Sequence, residues 1–107
     1  MDKQLYAVDV DTDGFEPYAR KGAKLIVCGD EEPVSGDTVF IRYRLSDESP
    51  IHSVATFVTN DLERQVAVTR TLDTRQLLEL PLDSIDMLDP IESVEQPKAV
   101  RPKRERP

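Results

Sequence analysis

AKLIVCGDEEPVSGDTVFIRYRL, residues 23–45, is the stretch whose reading decides the fold. Leu25, Ile26 and Val27 form a short apolar run of the buried-strand type. GDEEPVSGD (29–37) is turn chemistry, with Gly, Asp, Pro and Ser. TVFIRYRL (38–45) is rich in β-branched and aromatic residues, which suit a pleated surface. The stretch therefore reads strand, turn, strand.

The same pattern continues in both directions. Upstream, QLYAVDV (4–10) sets Leu5 and Ala7 on one face and Tyr6, Val8 and Val10 on the other. Downstream, IHSVATFVT (51–59) is a further strand candidate. QVAVTRTL (65–72) alternates Val66, Val68 and Arg70 with Ala67, Thr69 and Thr71. QLLEL (76–80) runs into Pro81, which favours an extended approach. LDSIDML (82–88) is the one segment suited to a helical turn: Ile85 and Leu88 are three apart, Asp83 or Ser84 can cap it, and Pro90 stops it. IESV (91–94) reads as a last short strand. Six or seven short strands at about ten-residue spacing predict an all-β domain, a small partly closed β-barrel or sandwich, with at most one helical turn near 83–88.

The 107 residues fit one domain, able to bury roughly 60–65% of the unfolded surface. The net charge is −7, but it is unevenly spread. The tail PKAVRPKRERP (97–107) sets Lys98, Arg101, Lys103, Arg104 and Arg106 against Glu105 alone, a net of +4, so residues 1–96 carry −11. Three prolines in the tail oppose helix and sheet. The division expected is a β domain over 1–96 and a flexible basic tail over 97–107. An acidic body repels nucleic acid and anionic membrane, which leaves the tail as the only segment suited to weak, salt-sensitive DNA contact. No apolar run has the length of a signal peptide or membrane span, so the expected location is the cytoplasm. Cys28 is the only cysteine and His52 the only histidine. These numbers exclude an internal disulfide and a multi-cysteine zinc site. No cofactor and no metal are expected.

DVDTDG (9–14) opens like an EF-hand calcium loop, with Asp9, Asp11 and Asp13 before Gly14. The twelfth position, which must supply a bidentate glutamate, is Arg20, and the ninth is Pro17. The aspartates instead read as a strand end leading into a turn.

Extended to DGFEPYARKGAKLIVCGDEEPVSGDTVFIRY (13–43), the stretch resembles the peptidase domain shared by LexA and phage repressors, a β fold distantly related to signal peptidases. In that family an Asp-Ser-Met-Glu-Pro motif is followed by a Gly-Asp, an apolar strand, a Pro-containing turn, a second Gly-Asp and another strand. Here Asp13, Glu16 and Pro17 match the first motif. Gly22 begins the first Gly-Asp, with Ala23 in place of its Asp; Pro33 lies in the turn, and Gly36 and Asp37 form the second Gly-Asp. The likeness is strong over 13–43, looser to residue 94 and weak after 60. It implies a fold like that of the LexA C-terminal domain.

The departures fall on the chemistry. The resemblance implies a Ser–Lys hydrolase, in which a serine attacks and a buried lysine accepts its proton. The serine position holds Gly14, which the turn is expected to need for a positive φ. The lysine position holds Ala55 or Thr69, depending on register, and no lysine occurs between Lys24 and Lys98. Cys28-Gly29 has the chemistry of the family's cleavage site but lies downstream of the nucleophile position. The expectation is a catalytically inactive domain that works by protein association, pairing with itself or with a related transcriptional repressor. Family members dimerise through C-terminal strands, which points to an open edge at Ile91, Glu92, Ser93 and Val94. Two other readings remain. One is a serine hydrolase with a relocated site, its candidates Ser35, Ser46, Ser49, Ser53, Ser84 and Ser93. His52 beside Ser53 is the obvious pair, yet neighbours on a strand face opposite ways. The other is nucleic-acid binding through the tail.

Overall fold

The computed structural model describes residues 4–16, 18–29, 31–46 and 49–97. Pro17 and the tail cations Lys98, Arg101, Lys103, Arg104 and Arg106 lie outside them. The strands are β1 (Leu5–Asp9), β2 (Lys24–Cys28), β3 (Thr38–Tyr43), β4 (Ile51–Asp61), β5 (Val66–Thr71), β6 (Leu77–Pro81) and β7 (Ile85–Glu95). Short 3₁₀ turns occupy Asp13–Phe15 and Leu82–Ser84. The fold is all-β: one antiparallel sheet in the order β1-β2-β7-β3-β4-β5-β6, curled but not closed. No helix among the described residues is long and apolar enough to cross a membrane.

β7 organises the sheet. Its first half, Ile85–Pro90, pairs with β3, and its second half, from Ile91, pairs with β2. The strand changes partner at Pro90, where a missing N–H costs little. Pro90 therefore does not end an element, as the sequence reading had it, but sits inside an 11-residue strand. The expected helical turn is confined to Leu82–Ser84, and the chain is extended from Ile85. Asp86 and Glu92 are the extra residues where the β3 and β2 registers shift. Val58 is a third, opposite β5. Each bulge adds a bend and twist, which is how a sheet of short strands curls.

The curled sheet encloses a main core on one face and a smaller one on the other. Val10, Ala19, Ala23, Leu25, Val27, Phe40 and Val54 form the first, with Phe15, Tyr18, Met87 and Ile91 against it. Val39, Ile41, Ala55, Phe57 and Leu80 form the second. β3 serves both, since Phe40 points one way and Val39 and Ile41 the other.

Two glycines of the family-like motifs are required by their backbone. Gly22 has φ +95° and donates its N–H to the Val10 carbonyl at 2.7 Å. Gly36 has φ +99° and closes a turn in which the Asp37 carboxylate accepts the Val34 N–H at 2.9 Å. A side chain at Gly36 would meet no atom within 4 Å, so only the backbone resists one. Gly36→Ala is expected to cost about 1–2 kcal/mol from the left-handed φ alone, measurable as a lower urea midpoint at unchanged slope.

Candidate functional site

The turn at Asp13–Phe15, expected from the sequence to stand at the nucleophile position, is built locally. Thr12 caps it, its Oγ1 accepting the Gly14 N–H at 3.1 Å. The Glu16 N–H donates to the Asp13 carbonyl at 3.2 Å. Gly14 does not have a positive φ, and a Cβ there would make only ordinary contact with Thr12 Oγ1, at 3.4 Å. The expectation that this turn needs glycine is therefore corrected: Gly14 removes a side chain without serving the backbone. Gly14→Ser is expected to fold with stability within about 0.5 kcal/mol of the parent, checked by urea denaturation.

The turn separates two clefts, and Phe15 lines both. One, about 210 Å³, is bounded by Gly14, Phe15, Glu16, Ser53, Val54, Thr71, Leu72 and Asp73. The other, about 280 Å³, is bounded by Val8, Asp9, Asp11, Thr12, Phe15, Phe40 and His52. His52 and Ser53 thus line different clefts, as alternation along β4 requires. The His52 ring stacks on Phe40, with centroids 5.6 Å apart and planes 16° apart.

The two residues aligned with the family lysine are not in the Gly14 cleft. Ala55 is buried in the second core. Thr69 is fully buried, and its hydroxyl donates to the Leu78 carbonyl on β6 at 3.1 Å. Ser53 and Thr71 stand beside the Gly14 turn instead. Pairing in the sequence could not show this, because the Val58 bulge shifts the register between β4 and β5. Thr71 Oγ1 lies 2.9 Å from Thr74 Oγ1 and accepts the Gln76 N–H at 3.0 Å, so it serves the β5–β6 turn. The cleft offers two hydroxyls and two carboxylates, and its lining contains no amine or imidazole to act as base.

The other singled-out residues have structural places. Asp9, at the end of β1, pairs with Lys24 Nζ at 3.2 Å. Among the described residues no three His, Cys, Asp or Glu side chains group to hold a metal ion. Cys28 ends β2, buried, with its Sγ 3.7 Å from Glu92 Oε2. The Gly29 N–H donates to the Gln4 carbonyl at 2.8 Å, so the Cys28–Gly29 peptide is held beside β1 rather than in a cleavage loop. Pro33 lies with Glu31, Glu32 and Asp89 along an open acidic groove. Ile91–Val94 is not a sheet edge: it pairs with β2, and β7 lies between β2 and β3. The edges among the described residues are β1 and β6.

Tyr6 on β1 ties that edge to the sheet interior. Its hydroxyl donates to Asp89 Oδ2 on β7 at 2.7 Å. Burial first, then the hydrogen bond and charge of Asp89, push the phenol well above its ordinary range. The folded state thus favours the protonated phenol. Its contribution is complete below the ordinary tyrosine value near pH 10 and is lost as pH rises through the folded value. Tyr6→Phe is expected to cost about 1–2 kcal/mol at neutral pH. It should also flatten the alkaline loss of stability above about pH 10, a slope that Tyr18, raised by burial, retains in part. Urea denaturation of both proteins across that range checks the prediction.

Comparison with protein families, curated proteins and solved structures found no match to this chain.

Proposed function

We propose that this chain is a catalytically silent β domain of the repressor-peptidase type that acts by protein association, pairing with itself or with a transcriptional regulator of that type. The observation that carries the reading is the cleft beside Gly14. An all-β scaffold carries a Thr12-capped turn at the residues whose sequence resembles the family's nucleophile motif, and that turn has room for a side chain at Gly14. No lysine lies on any strand after β2, so the hydroxyls of Ser53 and Thr71 have no amine to activate them. What such a domain retains is surface. Association is the activity of the family's fold that needs no reacting group.

The test has two arms. Incubation of the purified chain at alkaline pH, followed by mass spectrometry, should leave it intact; cleavage abolished by replacing one serine would overturn the reading. Co-sedimentation with an intact LexA-type or phage-type repressor, and sedimentation of the chain alone over a range of concentrations, should show association in at least one case. A monomer that ignores both would also overturn it.

A further inference from the structure

The second edge strand, β6, carries four backbone groups with no partner among the described residues, and their arrangement selects an occupant. The Thr71 N–H donates to the Gln76 carbonyl and the Leu82 N–H to the Gln65 carbonyl, both at 2.9 Å. Both contacts lie in the same ladder as Thr69↔Leu78 and Ala67↔Leu80. In an antiparallel ladder hydrogen-bonded pairs alternate with non-bonded ones. Residues 76, 78, 80 and 82 thus bond β5, whereas Leu77, Glu79 and Pro81 direct their backbone groups outward. The Pro81 carbonyl accepts the Ser84 hydroxyl at 2.7 Å, and proline has no N–H. What is left open is the N–H and C=O of Leu77 and of Glu79. Around them Leu77 is 58% and Leu78 41% exposed, two apolar side chains beside the Glu79–Arg64 ion pair on an edge whose open backbone groups invite another strand.

We propose that β6 pairs antiparallel with β6 of a second copy of this chain, about a two-fold axis at Leu78. This rests on the association reading and names its surface. In that register Leu77 of each copy faces Glu79 of the other. The two residues exchange both N–H···O=C bonds, so all four open groups on each strand are used. Leu78 meets its own counterpart across the axis and is covered. A register centred on Glu79 is worse on two counts: it sets two carboxylates directly opposite, and it faces the Leu77 carbonyl with Pro81, which has no donor. Charge supports the antiparallel sense. The Leu77 end carries Arg70 and Arg75 against Asp73, a net of +1. The Pro81 end carries Asp61, Glu63, Glu79 and Asp83 against Arg64, a net of −3. An antiparallel copy sets each end against its opposite. The arrangement is isologous, as a two-fold dimer requires.

Because residue 78 faces itself, the test uses charge exchange. The full chain should sediment as a concentration-dependent dimer. Leu78→Lys and Leu78→Glu, each alone, should be monomeric, since like charges then meet on the axis. An equimolar mixture should restore the dimer with one copy of each. Glu79→Pro, which removes an outward N–H and no bond to β5, should weaken dimerisation at least tenfold; circular dichroism verifies that each variant is folded. A wild type that dimerises while both Leu78 variants also dimerise overturns the β6 assignment and leaves the association reading intact. A wild type that stays monomeric overturns β6 pairing as well, and co-sedimentation with a repressor then decides the association reading separately.

Discussion

Phe40→Ala is expected to lower the free energy of unfolding by about 3–5 kcal/mol. The ring is only 3% exposed and projects from the middle of β3 into the main core, among Val10, Ala19, Ala23, Leu25, Val27 and Val54. The ring of His52 stacks on one of its faces. Truncation opens a cavity that the surroundings cannot close. β3 is fixed on one side by β4 and on the other by β7, and its opposite face is packed by Val39 and Ile41. A domain of this size has about 5–15 kcal/mol in total, so the variant retains little. Urea denaturation followed by circular dichroism should show a large drop in midpoint at unchanged slope. A loss below about 1 kcal/mol would mean that the enclosed face does not hold the sheet together.

Thr69→Lys is expected to destabilise the fold by more than about 3 kcal/mol at pH 7 without creating activity, even combined with Gly14→Ser. Thr69 is fully buried, its cross-strand neighbours are Phe57 and Leu78, and its hydroxyl is engaged by a carbonyl. A lysine there faces apolar cross-strand neighbours. Burial depresses its folded pKa below the free value near 10.4, so between those two values the unfolded chain binds more protons. The deficit relative to wild type therefore shrinks as pH rises toward 10, and urea denaturation at pH 7, 8 and 9 checks the sign. The absence of cleavage has a separate reason: residue 69 does not line the cleft beside Gly14. A double variant that cleaved itself would mean that a lysine at 69 reaches the turn and that the cleft assignment is mistaken.

Much of the sheet was legible because alternation is a local signal. Leu5–Asp9 and Val66–Thr71 carry a period of two, Lys24–Cys28 is a short apolar run and Thr38–Tyr43 is rich in β-branched and aromatic residues, and each is a strand. The glycines of the turns were legible at Gly22 and Gly36, where the backbone demands them. Gly14 was misread because a glycine in a turn signals positive φ, and here Thr12 caps a 3₁₀ turn that any small residue can enter. The last strand was misread because proline ordinarily ends a segment. Pro90 survives inside β7 because the strand changes neighbours there, a property of the assembled sheet and not of the local sequence. The open edge was misplaced for the same cause. Which strand is outermost depends on the order of all seven, and Ile91–Val94 occupies the interior while Leu77–Pro81 does not. The composition of the cleft was not legible because it depends on how β4 and β5 pair, and the Val58 bulge shifts that register by one residue.

The position of β7 also fixes an order of events during synthesis. The strand that joins β2 to β3 is the last of the seven to be made, so before it emerges the β1–β2 hairpin and the β3–β6 meander have no ladder between them among the described residues. Until residues 85–95 leave the ribosome, each piece exposes apolar side chains that its final neighbour will cover. Closing that gap joins segments far apart along the chain, a slow step during which chaperones have most to protect.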